Sequence, residues 1–193
     1  MSRLDKIKFF KKLMDDPELN QLYQRLKERK LNPEIMELED ALIRWAGFLH
    51  HHSLEYALQK GMKVGKNPKV EPLVIFMGFE WIEIGDDFIA SSFSTIRAVS
   101  KPIKIGNKVS LGPGVAIIGA NHGIEPNSPH QLQPQISAEI EIGDDVWIGA
   151  GAIVLPGVKI GSGTIIGAQS LVSKDLPENT ICAGIPAQVV RKR

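Results

Sequence analysis

Residues 142–177 read IGDDVW IGAGAI VLPGVK IGSGTI IGAQSL VSKDLP when broken at every sixth position. Each block opens on an aliphatic residue: Ile142, Ile148, Val154, Ile160, Ile166 and Val172. A small residue usually follows it, and a second small or aliphatic residue stands four places after it. A six-residue step is neither the helical period nor simple strand alternation, and it marks a β-helix of stacked coils. Each hexapeptide supplies one short flat face and one turn, so three faces close a triangular coil of about 18 residues. The aliphatic residues point inward and stack on the coils above and below, because no coil can bury its apolar side chains alone. Gly143, Gly149 and Gly161 are expected where a side chain would crowd the turn or where φ is positive. A β-sandwich with glycine-rich turns is the alternative; six consecutive blocks in phase argue against it. The period alone does not give the hand of the coil.

The same step recurs upstream at Ile84, Ala90 and Ile96, and again at Ile105, Leu111 and Ile117. Val64 and Val70 suggest an irregular first coil. The period breaks once, between Ile117 and Ile142, where the polar, proline-rich GANHGIEPNSPHQLQPQISAEI intervenes. Residues 123–139 are expected to project as a loop from one corner, the place where a repeat scaffold carries function. Before Gly61 the pattern is helical. Asp16-Pro17-Glu18 and Asn32-Pro33-Glu34 each read as an N-cap, a proline at the first helical position and an acidic first turn. Ile35, Leu38, Leu42, Trp45 and Leu49 follow at three- and four-residue steps, and Gly61 is the expected stop. The expected organisation is a helical domain over 1–61, a β-helix over 62–180 and a C-terminal tail over 181–193.

The 193 residues hold 18 Gly and 12 Pro with only 6% aromatics, a mix that the coil turns account for. Net charge is +1 and the charges are interspersed, which gives no reason to expect nucleic acid or an anionic membrane as partner. The single cysteine, Cys182, excludes an intrachain disulfide framework and reads as a small buried hydrophobe. No run approaches the roughly 20 apolar residues of a transmembrane helix. The first residues carry no signal-like apolar segment, so the expected compartment is the cytoplasm. His50-His51-His52 does not make a metal site on a helix, where consecutive side chains point about 100° apart. No metal is expected.

The segment IEIGDDVWIGAGAIVLPGVKIGSGTIIGAQSLVSKDLPENTICAGIPAQVVRKR resembles the hexapeptide-repeat acyltransferases. The pairing of GDDVWIGAG with SKDLPENTICAGIPAQVVRK is similar to the sugar O-acetyltransferases of the maltose, galactoside and exopolysaccharide type. The resemblance covers roughly residues 62–193. It implies a left-handed parallel β-helix, a homotrimer with active sites between subunits, and acetyl-CoA as donor. By position it implies His122 as the catalytic histidine. Trp147, Ala150, Ala168, Ser173, Lys174 and Arg191 fall on the donor side. Ser92 and Asn121 are the acceptor-side candidates, joined by Glu125 and His130 because they lie in the projecting loop. The chain departs from the galactoside type at Ser91-Ser92-Phe93-Ser94, where those enzymes carry an acceptor-binding Asn, and at Asn107, where they carry Asp.

The chemistry agrees with that assignment. A neutral alcohol is a poor nucleophile, and an imidazole is suited to take its proton as it attacks a thioester. The other ring nitrogen of His122 needs a partner, either a backbone carbonyl or the Glu125 carboxylate. No serine or cysteine nucleophile motif is present, so direct attack in a ternary complex is expected. The residues alone leave plainer roles open: corner packing for Trp147, solvated charges for Lys174 and Arg191, a polar loop residue for His122. The leading reading is O-acetylation of a sugar or glycoconjugate; the alternatives are N-acylation of an amino sugar, O-acetylation of an antibiotic, and a non-catalytic scaffold.

Overall fold

The computed structural model describes residues 54–193, which lie within one compact unit, Phe48–Arg193. The helices expected before residue 54 and the His50-His51-His52 run lie outside the described residues. Helix α1 (Leu54–Gln59) ends as its sequence predicts. Gly61 takes φ +98°. The Met62 and Gly61 N–H groups then turn back to the Ala57 and Leu58 carbonyls, which satisfies carbonyls the helix end leaves open.

Five coils follow, each laying one short strand on each of three faces. The first holds β1 (Lys63–Val64), β2 (Lys69–Val70) and β3 (Ile75–Met77). The second holds β4 (Ile82–Ile84), β5 (Ile89–Ala90) and β6 (Thr95–Arg97). The third holds β7 (Ile103–Ile105), β8 (Ser110–Leu111) and β9 (Ala116–Ile118). A hairpin of β10 (Ala120–His122) and β11 (Gln135–Ser137) then interrupts the winding. It resumes with β12 (Ile140–Ile142), β13 (Trp147–Ile148) and β14 (Ile153–Val154), then β15 (Lys159–Ile160), β16 (Ile165–Ile166) and β17 (Leu171–Val172). The first face is β1-β4-β7-β12-β15, the third is β3-β6-β9-β14-β17, and both are parallel throughout. The second face carries β2-β5-β8-β13-β16 and is extended by β18 (Thr180–Gly184), parallel to β16, and β19 (Ala187–Lys192), antiparallel to β18. Residues 181–193, expected as a tail, are therefore folded as a hairpin at the end of a sheet. The architecture is a parallel β-helix, and coil one joins the stack as Val64 and Val70 suggested.

The core follows the hexapeptide phase. Ile142, Ile148, Val154, Ile160, Ile166 and Val172 are all buried, and so are the residues four places after each of them. Two of those second positions are hydroxyls with partners. Thr164 Oγ1 donates to the Pro177 carbonyl at 2.7 Å and Ser170 Oγ accepts from Gly184 N at 3.2 Å, as buried polar groups require. Cys182 is buried among the same residues. The three glycines are explained by crowding rather than by φ. At Gly149, for example, a Cβ would lie 2.6 Å from the Ala168 nitrogen of the next coil.

Two corners are regular and one is not. At the first corner, between the first and second faces, each coil's residue after glycine accepts a backbone N–H from the preceding coil. Asp86 accepts from Lys66, Asn107 from Asp86, Asp144 from Asn107 and Ser162 from Asp144. These bonds also measure the coils. Their partners lie 20, 21, 37 and 18 residues apart in turn. Every extra residue is placed at the third corner, where the third face returns to the first. There lie the Phe79–Trp81 turn, residues 98–102 and residues 119–139. Along the outer side of the first face runs a ladder of ion pairs: Lys63–Glu83 at 2.5 Å, Lys104–Glu139 at 2.6 Å and Lys159–Glu141 at 2.8 Å.

Candidate active site

At the third corner the chain leaves β9 through Gly119 and builds a small antiparallel ladder. Ala120 lies opposite Ser137, Asn121 opposite Ile136 and His122 opposite Gln135. Side chains alternate along a strand, so His122 and Gln135 share one face while Asn121 shares the other with Ile136. His122 is exposed at the end of β10. Its Nε2 lies 3.4 Å from Gln135 Nε2. The His130 ring, in the turn His130–Leu132, stands perpendicular to the His122 ring with centroids 6.3 Å apart.

The segment between the two strands is held by one amide. Gln133 Oε1 accepts from Glu125 N at 2.9 Å, while its Nε2 donates to the Glu125 and Ser128 carbonyls at 2.8 and 2.7 Å. Gly123 makes room for it, since a Cβ there would lie 2.9 Å from Gln133 Cβ. Glu125 thus contributes its backbone to the loop. The Gln135 amide stands beside His122 Nε2, a neighbour that the sequence did not suggest.

The remaining expected residues fall in other places. Ser173 and Lys174 follow β17 at the third corner and are exposed. Ser92, Ala150 and Ala168 occupy equivalent positions at the second corner, between the second and third faces. Their coils are joined there by Gly114 N to the Ser92 carbonyl, Gly151 N to Pro113, and Gln169 N to Ala150. Ser92 is engaged within the chain, its N–H and Oγ both bonded to Glu71 Oε2 at 2.8 and 3.1 Å. Trp147 stands 55% exposed on the second face between Ser110 and Ile165. Arg191 lies on β19 opposite Ile181, at the edge of the same face. The third face separates the two corners, so one chain does not collect these residues in a single cleft. An open groove of about 460 Å³ on the first face, lined by Lys104, Glu141, Lys159, Ser162 and Glu178, contains none of them. Among the described residues, no group of three or more His, Cys, Asp or Glu side chains stands where it could hold a metal ion. Nor, among them, is any helix long and apolar enough to cross a membrane.

Residues 139–174 match the family described as bacterial transferase hexapeptide (six repeats). The galactoside O-acetyltransferase of Escherichia coli K12 is 35% identical over 154 residues, which cover 75% of this chain and 73% of that enzyme. The chain belongs to the hexapeptide-repeat acetyltransferase family. A solved structure of a hexapeptide-repeat acetyltransferase from Vibrio cholerae, complexed with acetyl coenzyme A, superposes with a TM-score of 0.64 at 26% identity, covering 93% of this chain and 91% of that one. A Schizosaccharomyces pombe relative is 42% identical over 126 residues, and the chain spans 59% of its length.

Within this family member, three side chains that sequence reasoning passed over have clear work. Gln133 and Gln135 come from the amide-rich run QLQPQ at 131–135, and that run was the available signal. Arg193 sits two residues beyond Arg191. Its Nη1 donates to Asp145 Oδ2 at 2.8 Å and to the Gly163 carbonyl at 3.0 Å, which ties the chain end to the first corner. Asn107, read as a departure on the acceptor side, belongs to the first-corner ladder, donating from N and Nδ2 to Asp144 Oδ1 at 2.6 and 3.1 Å.

Proposed function

We propose that this protein moves the acetyl group of acetyl-CoA to a hydroxyl of a sugar or glycoconjugate, with His122 as the general base. The observation that carries the reading is the presentation of His122. Its imidazole is exposed on a paired strand at the one corner where the coil is interrupted, on a chain whose relatives include a galactoside O-acetyltransferase. His122 takes the acceptor's proton as the oxygen attacks the thioester carbonyl carbon. The tetrahedral intermediate then collapses with cleavage of the C–S bond, and the thiolate recovers the proton. A positioned base of this kind contributes about 10²–10⁴-fold.

The division of residues between two corners supports a shared site. We infer a homotrimer in which the second corner of one copy, with Ala150 and Ala168, meets the third corner of the next, with His122, Ser173 and Lys174. Small side chains at Ala150 and Ala168 suit a coenzyme arm lying along the edge, and Trp147 and Arg191 suit the donor's side. Ser92, Asn121, Glu125 and His130 are kept as acceptor-side candidates. Of these, His130 has its ring centroid 6.3 Å from that of His122, and Asn121 lies on the other face of the strand. The cytoplasm, where acetyl-CoA is made available, is the proposed compartment.

The test is release of free thiol from acetyl-CoA in the presence of sugars, amino sugars and hydroxylated antibiotics, run beside His122→Ala. Turnover with a sugar acceptor is expected to fall about 10²–10⁴-fold in the variant, with an unchanged melting temperature because the side chain is exposed. Unchanged turnover would remove His122 from its role. Failure of the wild type to bind the coenzyme would leave the scaffold reading.

A further inference from the structure

We infer that Gln135 is a second acceptor-contacting residue, whose side-chain amide donates to the acceptor oxygen from which His122 removes the proton. The inference rests on the reading of His122 as base and of a hydroxyl as acceptor, and adds the group that selects oxygen over nitrogen.

The two side chains are cross-strand partners on one face of the β10–β11 ladder, and such pairs are held at about 4.5–5.5 Å between Cβ atoms. Their nitrogens, His122 Nε2 and Gln135 Nε2, lie 3.4 Å apart. That is longer than the 2.7–3.2 Å typical of a good hydrogen bond, so the direct contact is weak and opens at little cost. Among the described residues this is also the one hydrogen-bond partner of the Gln135 side chain. The contrast with Gln133 is informative. Two residues away, that glutamine spends its amide on three bonds inside the loop. Gln135 spends none there, and its amide remains beside the base at an exposed position.

A hydroxyl fits between these two groups. It has one O–H to donate and two lone pairs to accept with. Donating to His122 Nε2 and accepting from Gln135 Nε2–H leaves one lone pair for the thioester carbonyl carbon. When it attacks, the O–H bond breaks, the proton moves to the imidazole, and the new C–O bond forms as the C–S bond is lost. A neutral amine has a single lone pair, and that pair must attack. It cannot accept from Gln135 at the same time. The pair His122–Gln135 therefore favours an oxygen acceptor over a nitrogen acceptor.

The experiment compares wild type, Gln135→Ala and Gln135→Glu with acetyl-CoA and two probes, a methyl galactoside and the matching methyl galactosaminide, the ester and amide products being told apart by NMR. For Gln135→Ala, KM for the galactoside is expected to rise about tenfold, the effect of one lost hydrogen bond of ordinary strength. KM for acetyl-CoA and the melting temperature are expected to stay put, and the ratio of amine to hydroxyl turnover to increase. For Gln135→Glu, a carboxylate placed beside the ring favours the imidazolium. The His122 ring-proton titration, followed by NMR without any acceptor, is expected to move to higher pH. Galactoside KM unchanged in the alanine variant would overturn the inference. So would parallel loss of both substrates' affinities with a lowered melting temperature, which is a purely structural role. An unmoved His122 titration in the glutamate variant would also overturn it. Loss of turnover in none of the variants, His122→Ala included, would instead count against the base itself.

Discussion

From Ile140 to Val172 two successive coils match each other position for position, Trp147 beside Ile165 and Val154 beside Val172. From Gly119 to Glu139 nothing repeats, and order comes from one antiparallel ladder and one glutamine amide. Both segments lie on the same scaffold and both are ordered, yet their stability has different sources. In the coils it comes from burial: aliphatic side chains stacked coil on coil, each covering its neighbours. The hairpin loop buries little, since Ile124, Leu132 and Ile136 are 89%, 78% and 60% exposed. Its shape rests on directional bonds made by particular side chains. Stacked coils also present outward side chains such as Trp147, 55% exposed, but the loop carries its imidazole beyond the repeating frame, beside groups that no coil position supplies.

The largest expected effect tests that contrast with one residue type. Ile148 is fully buried between Leu111 and Ile166, so Ile148→Ala removes buried methyl groups and leaves a cavity. It should lower stability by about 2–5 kcal/mol, read as the shift of the denaturant midpoint. Ile136→Ala, in the loop, should leave the midpoint in place. Equal effects would mean that the loop shares the core of the coils.

A smaller effect is expected from Gln133→Ala. It deletes three hydrogen bonds that close the 123–133 segment, on the order of 1 kcal/mol for exposed bonds of this kind. The loss should be local. Amide exchange at Glu125 should speed up while exchange at coil positions such as Ile153 and Leu155 stays slow, and galactoside turnover should fall with His122 intact. Slow exchange throughout would show that the β10–β11 ladder alone holds the loop.

The smallest effect concerns the ion-pair ladder of the first face. The hydrogen bond and charge of Lys63 hold the Glu83 carboxyl below its ordinary value of 4.5. This contribution is present above that pH and is lost as the pH falls through the lowered value. Lys159 is raised above 10.5 by the hydrogen bond and charge of Glu141, so its contribution is complete below that pH and is lost as the pH rises through the raised value. All of these side chains are exposed and screened by water. Lys159→Gln should therefore shift the melting temperature only slightly at neutral pH, and less still in high salt. A large, salt-independent shift would show that the ladder, and not the buried stack, governs this face.

Much of this was legible in the residues. The inward positions, the interruption after Ile117 and the stop at Gly61 all follow from local rules: a six-residue step, a break in it, a glycine after a helical run. The candidate base was legible too, as a histidine in the interrupting segment. Its neighbour was not. Glu125, three residues on, was the side chain the sequence drew attention to, but the β10–β11 register sets Gln135, 13 residues away, beside the Nε2 of the ring. The role of Asn107 was missed for a similar reason. A substitution judged against a family pattern gives no sign that the side chain bonds to the coils on either side of it.

By itself, then, the sequence determined that the chain winds, which side chains enter the core and where the winding stops. Each of those depends on the nearest few residues and on a step that every coil repeats. Only the tertiary structure decided which groups stand together at the surface. Strand register across a loop is set by pairing between distant residues, and no period encodes it. The same holds for the separation of Ala150 and Ala168 from His122. A triangular coil puts successive turns on different corners, so residues of one proposed site lie on opposite sides of a face, where a neighbouring copy can bring them together.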